Sequence, residues 1–220
     1  MISYLTLKLF TLNTLSNGGI FMFSKDFEKA MDVCMLSEVG PWFKKDHPAC
    51  KSGIKKTKSD RLATGYVNDQ NDRGGKTAFG IAQTANPTVN IDTLTYEQAE
   101  QIYYKKYWDL GECDQMPYLL NIIHFDAVVN HGTTNSGKFI QRALGFLGTA
   151  VDGDIGPQTI KTIMSKSKSL ADIKTLCLQS LDQRERFFKA IVANNPSQLK
   201  FLNGWLNRVN MLRKVVSQYK

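Results

Sequence analysis

Apolar residues between Phe27 and Met35 recur at helical spacing, with Phe27, Ala30, Met31, Cys34 and Met35 at i, i+3, i+4, i+7 and i+8. This predicts an amphipathic helix opened by Ser24 as N-cap and stopped by Gly40-Pro41. Glu38 falls just past the apolar stripe, at the negative end of the helix dipole and close in sequence to Trp42 and Phe43. Both the dipole and desolvation by those rings disfavour a charged carboxylate, so the pattern predicts an acid held protonated near neutral pH. Such a group can donate a proton to a leaving group.

The pattern changes after Gly65. Asp69 and Asp72 lie in a turn-rich run, Gly74-Gly75 allows a tight reversal, and Thr77-Ala78-Phe79-Gly80-Ile81 reads as a short strand. Thr95-x-x-Gln98 is a capping box that opens a helix through Ala99, Ile102, Tyr103 and Tyr107. Pro117 takes an N1-like position ahead of Leu119, Leu120, Ile122, Ile123, Phe125, Ala127, Val128 and Val129. Apolar residues on nearly every side predict a buried central helix, and Asp126 and Asn130, four apart, share one of its faces. A short helix through Phe139 to Leu144 ends at Gly145, and a turn at Asp152–Pro157 feeds a helix through Ile160, Ile163 and Met164. Two further helices run through Leu176 to Ile191 and Phe201 to Val216. The fold class expected is mainly α (α+β), with a small β-hairpin or turn region and a helical C-terminal lobe.

At 220 residues the chain can bury a full core. A net charge of +8 and pI near 9.3 point to a polyanionic partner. Nucleic acid is disfavoured, because neither zinc-finger spacing nor an aromatic RNP-like strand pair is visible. Cys34, Cys50, Cys113 and Cys177 show no paired spacing, so buried free thiols are expected, as suits a reducing cytoplasm. His47, His124 and His131 are scattered, and neither a metal site nor a cofactor is expected. Residues 1–21 are too interrupted by Lys8 and polar residues to span a membrane, and they lack the basic n-region and cleavage site of a signal peptide. Met22-Phe23-Ser24 is an alternative start, with a signal-anchor as the lesser reading of what precedes it.

Glu38-Val39-Gly40, Asn68-Asp69 and Asp72-x-Gly74-Gly75-x-Thr77-x-x-Gly80-Ile81 together resemble the signature of the glycoside hydrolase family 108 muramidases. The likeness continues through Tyr103 to Trp108, Phe125-Asp126 to Gly132, and Gly204-Trp205-x-x-Arg208-Val209. Gln141, Leu144-Gly145, Asp152-Gly153, Gly156-Pro157 and Thr159 resemble the predicted peptidoglycan-binding segment that follows such catalytic domains. The chain departs from the pattern at Val39, Gln70 and Arg73, and in a basic insert at 41–64 that carries Lys44, Lys45, Lys51, Lys55, Lys56, Lys58 and Arg61.

The resemblance implies a lysozyme-like, two-lobed protein, with residues 1–22 peripheral, 23–132 catalytic and 133–220 a helical peptidoglycan-binding region packed on it. It implies an endolysin-type N-acetylmuramidase with Glu38 as general acid, and with Asp72 (or Asp69) and Thr77 orienting the attacking water. Candidate substrate-binding residues are Trp42, Tyr66, Gln83, Trp108 and Asn130. A lytic transglycosylase and a non-catalytic murein-binding or virion protein are the alternatives. Bacterial peptidoglycan is the expected partner of a monomer that inserts in no membrane, held in the host cytoplasm until release. The insert is either a cleft rim that meets anionic stem peptides or a solvated loop.

Overall fold

Ser24 accepts a hydrogen bond from the Phe27 amide at 3.2 Å and so starts helix α1, Lys25–Glu38. The predicted stripe from Phe27 to Met35 is buried. Val39 and Gly40 both donate to the Met35 carbonyl, at 2.9 and 3.1 Å, and Gly40 takes φ 93°, so the helix ends where the glycine was expected to end it. The computed structural model describes residues 22–69 and 74–220, so the expectations for residues 1–21 and for Asp72 lie outside the described residues.

The insert is not a loose loop. It folds into two short helices, α2 (Pro48–Ser52) and α3 (Lys58–Thr64), around buried Ala49, Cys50, Ala63 and Thr64. His47 caps the first through the Ala49 amide, and Thr57 with Asp60 forms a capping box on the second. Lys55 is buried, with its ammonium donating to the carbonyls of Gly53 (2.7 Å), Leu94 (2.9 Å) and Asp92 (3.4 Å). Seven basic residues in a row of polar ones read as a solvated face, and nothing local shows that one of them is a strut.

Thr77 to Ile81 is not one strand but a complete hairpin. Strand β1 (Thr77–Ala78) pairs antiparallel with β2 (Ile81–Ala82), Thr77 opposite Ala82 and Ala78 opposite Ile81. Phe79 (φ 51°) and Gly80 (φ 73°) form the two-residue turn, both in the left-handed region that a hairpin of this length favours. Phe79 tolerates that backbone because its ring is fully buried, its amide donates to Thr64 O (2.7 Å) and its carbonyl accepts the Tyr103 hydroxyl (2.9 Å).

Helix α4, Tyr96–Tyr103, opens with the predicted capping box and passes into a π-helical stretch at Tyr104–Trp108. The wider turn shifts the inward face: Ala99, Tyr103 and Trp108 are buried, a spacing of four and then five. Trp108 consequently packs edge-to-face on Phe27 and Phe125, at 5.3 and 5.5 Å between centroids.

Helix α5 spans Leu120–Ala143. Leu119 precedes it at φ 77°, so Pro117 stands outside the helix rather than in its first turn, its carbonyl accepting the Asn121 amide at 3.2 Å. The expected central helix and the short one after it follow one another directly across a kink at Gly132, whose φ 74° and ψ 170° are not helical. Gln141 on its second half holds the Asp152–Asp154 loop, donating to Asp152 Oδ1 and Asp154 O and accepting the Gly153 amide. Helices α6 (Pro157–Lys166), α7 (Leu170–Asn194) and α8 (Leu199–Gln218) complete the chain. The architecture is thus mainly α with one small sheet, and α5 is the element on which α1 and α7 pack, with α8 against α7. Among the described residues no helix is long and apolar enough to cross a membrane.

Lys55→Ala should lower stability by about 1–3 kcal/mol, because it leaves buried carbonyls without a donor. Lys56→Gln, on the exposed side of the same loop, should change it by less than about 0.5 kcal/mol. Urea melts of the two variants check the contrast.

Candidate active site

Glu38 ends α1 with its side chain 21% exposed. Its surroundings differ from those the sequence suggested. Trp42 is 62% exposed, and Phe43 packs on Tyr96 at 5.2 Å between centroids. The close partner is instead Arg208 on α8, whose Nη1 donates to Glu38 Oε1 at 2.7 Å.

The hairpin closes the other side. A Cβ added at Gly80 would sit 2.7 Å from the Tyr103 hydroxyl oxygen and 2.8 Å from Glu38 Oε2. Only a glycine therefore allows this turn to lie on the acid, and its positive φ makes the same demand.

Behind Glu38 lies a buried charge cluster. Arg208 gives Nε (3.0 and 3.1 Å) and Nη2 (2.9 Å) to the Asp126 carboxylate, which is 1% exposed. Arg184 on α7 donates to the same carboxylate at 2.6 Å, to Asn130 Oδ1 at 3.1 Å and to His131 Nε2 at 2.9 Å. Burial alone would push the Asp126 carboxyl up, but the two guanidiniums outweigh it and hold it below the usual range. Burial, with the Arg184 charge second, pushes His131 down to about 3, so its neutral ring accepts from Arg184. Asp126 and Asn130 do share a face and a partner, as their spacing suggested. With both oxygens taken by arginines, Asp126 is in no position to activate water.

The other candidates divide. Thr77 stands at the base of the hairpin, its backbone paired both ways with Val67 at 2.9 Å, and Asp69 is exposed two residues beyond that bridge. Trp42 and Asn130 are exposed, Asn130 with its carbonyl on Arg184. Three expected substrate contacts make hydrogen bonds within the fold, and one of them, Trp108, is closed off by burial. Trp108 is fully buried, its indole donating to Asp114 at 2.8 Å. The Gln83 amide donates to the carbonyls of Asn86 and Val89. The Tyr66 hydroxyl donates to Asp92 at 2.6 Å, which Lys76 also holds. Arg184 and Arg208 are what the sequence reading missed: Arg208 stood in a quoted motif but read as part of a packed helix, and Arg184 gave no signal beyond its helix.

The cluster makes the fold acid-labile. His131 at about 3 and His124, which burial pushes down to about 4, lie below the ordinary value near 6.5. Between those limits the unfolded chain binds protons that the fold refuses. Stability is therefore complete above about pH 6.5 and falls as pH drops toward 3. Melting temperatures followed by circular dichroism should decline steadily from pH 7 to pH 4; a flat profile would contradict the buried neutral histidines.

Residues 63–132 match the family model described as Glycosyl hydrolase 108, and residues 135–210 match that described as Predicted Peptidoglycan domain. Glu38 lies ahead of the first match. No curated protein matches the chain. Among solved structures the chain is similar to SagA of Brucella abortus, at 22% identity and a TM-score of 0.60, over 87% of this chain and 93% of that one. That likeness is one of fold. The chain thus carries, in order on this fold, a segment similar to Glycosyl hydrolase 108 and a segment similar to a predicted peptidoglycan domain.

Proposed function

We propose that the protein is an N-acetylmuramidase that hydrolyses the β-1,4 bond between N-acetylmuramic acid and N-acetylglucosamine, with Glu38 as general acid. The observation that carries this reading is a part-exposed carboxylate fixed between a hairpin turn and an arginine. Glu38 Oε1 accepts from Arg208, so Oε2 is the oxygen that carries the proton. That proton passes to the glycosidic oxygen as the bond from the sugar carbon breaks, and the carboxylate left behind pairs with Arg208.

The attacking water belongs to the hairpin side. The stretch of sequence between Val67 and Thr77, whose backbones pair, contains both Asp69 and Asp72. In this reading one of the two carboxylates takes the water's proton while Thr77 holds the water, and the anomeric centre inverts. An inverting pair needs about 6.5–9.5 Å between carboxyl groups, room for the attacking water. The biological role proposed is that of an endolysin, synthesised in the host bacterial cytoplasm and released to the wall. All four cysteines are free and buried, which suits a reducing compartment.

Glu38→Gln keeps the shape but has no proton to give, and should lower lysis of permeabilised Gram-negative cells by about 10²–10⁴-fold in a turbidity assay. A variant retaining more than about a tenth of wild-type activity would remove Glu38 from the role.

Products settle the rest. Reducing muramic ends of the α-anomer, seen by NMR in early digestion, are expected. A retained β-anomer would end the inverting scheme, and 1,6-anhydro ends in the mass spectrum would make the enzyme a lytic transglycosylase.

A further inference from the structure

Arg208 lies inside the segment that matches a peptidoglycan domain, yet its guanidinium rests on Glu38, 170 residues earlier in the chain. We propose that Arg208 is a positioning residue for the general acid, so that α8 completes the active site in addition to any contact it makes with the wall. The inference deepens the muramidase reading and rests on Glu38 as the acid.

The guanidinium is shared unequally. Nε and Nη2 grip Asp126, and Nη1 alone reaches Glu38. Asp126 is buried and independently held by Arg184, so it serves as the anchor and Glu38 as the lighter partner. Arginine's planar fork carries the orientation of one carboxylate to the other, which a lysine ammonium cannot do. It fixes Oε1 and leaves Oε2 on the side of the hairpin turn.

The same contact has an electrostatic consequence. Protonation of the leaving group turns Glu38 from neutral to anionic, and a cation already in place needs no rearrangement to stabilise that change. Among the described residues, the ionisable groups coupled to Glu38 are Cys34 from its own helix, Tyr103 from α4, Tyr107 from the π-helical stretch and Arg208 from α8, with Asp126 of α5 beyond it. Of these Arg208 alone is cationic.

The test uses full-length wild type, Arg208→Gln and Arg208→Lys, with the Glu38 side-chain carboxyl followed by carbon-13 NMR titration beside wall lysis across pH. In Arg208→Gln the Glu38 titration should move up by about 1 pH unit or more. The basic limb of the lysis profile should move with it, and the maximal rate should fall by about 10²-fold. Arg208→Lys should restore the titration and only part of the rate. If Arg208→Gln melts earlier but leaves both the titration and the limb where wild type has them, Arg208 is only a brace and the proposal is overturned. Arg184 still neutralises Asp126 in that variant, which favours folding; should it not fold, full recovery of rate in Arg208→Lys would overturn the proposal instead. A wild type that titrates as expected but lyses no wall would sink the muramidase reading while leaving the Arg208–Glu38 coupling established.

Discussion

A single buried carboxylate organises this molecule. Asp126 lies in the first half of α5 with almost no exposure, a position that would cost several kcal/mol if its charge were unpaired. Two guanidiniums answer it, Arg184 from α7 and Arg208 from α8. An arrangement of this kind adds little net stability over a well-packed apolar one, but removing one partner costs about 3–5 kcal/mol. Its effect is therefore on register: neither α7 nor α8 can slide along α5 without stranding a charge. Through Arg208 that register reaches α1 and its terminal Glu38.

The hairpin is the second constraint on the acid. A two-residue turn with both residues at positive φ puts Phe79 into the core and Gly80 against Glu38. Phe79 is thereby tied to α3 through Thr64 and to α4 through Tyr103, so the small sheet is fixed although it has only two pairs of residues. The acid is thus held by elements from both ends of the chain. The basic insert adds to the same side as a folded unit, anchored by Lys55 to the 92–94 loop.

Much of the fold was legible because its signals are local. Helical spacing from Phe27 to Met35, Ser24 as cap, Gly40 as stop and the Thr95–Gln98 box each act within a few residues, and each formed as read. The failures share a different cause. The π-helical stretch that turns Trp108 inward is one residue of extra winding, invisible to a pattern that assumes uniform pitch. The positive φ of Phe79 is paid for by contacts with α3 and α4, so a strand-like run became a hairpin. Lys55 looked like its neighbours until the 92–94 loop supplied carbonyls for it.

By itself the sequence determined the helix that carries Glu38, the candidate acid at its end, the glycine-rich run of the hairpin and the mainly helical class, all set by spacing and backbone preference over short distances. Only the tertiary structure decided what surrounds that acid. Arg208 is 170 residues away from Glu38 and 82 from Asp126. No periodicity links such positions, because what brings them together is the packing of four helices around one charge that none of them could bury alone.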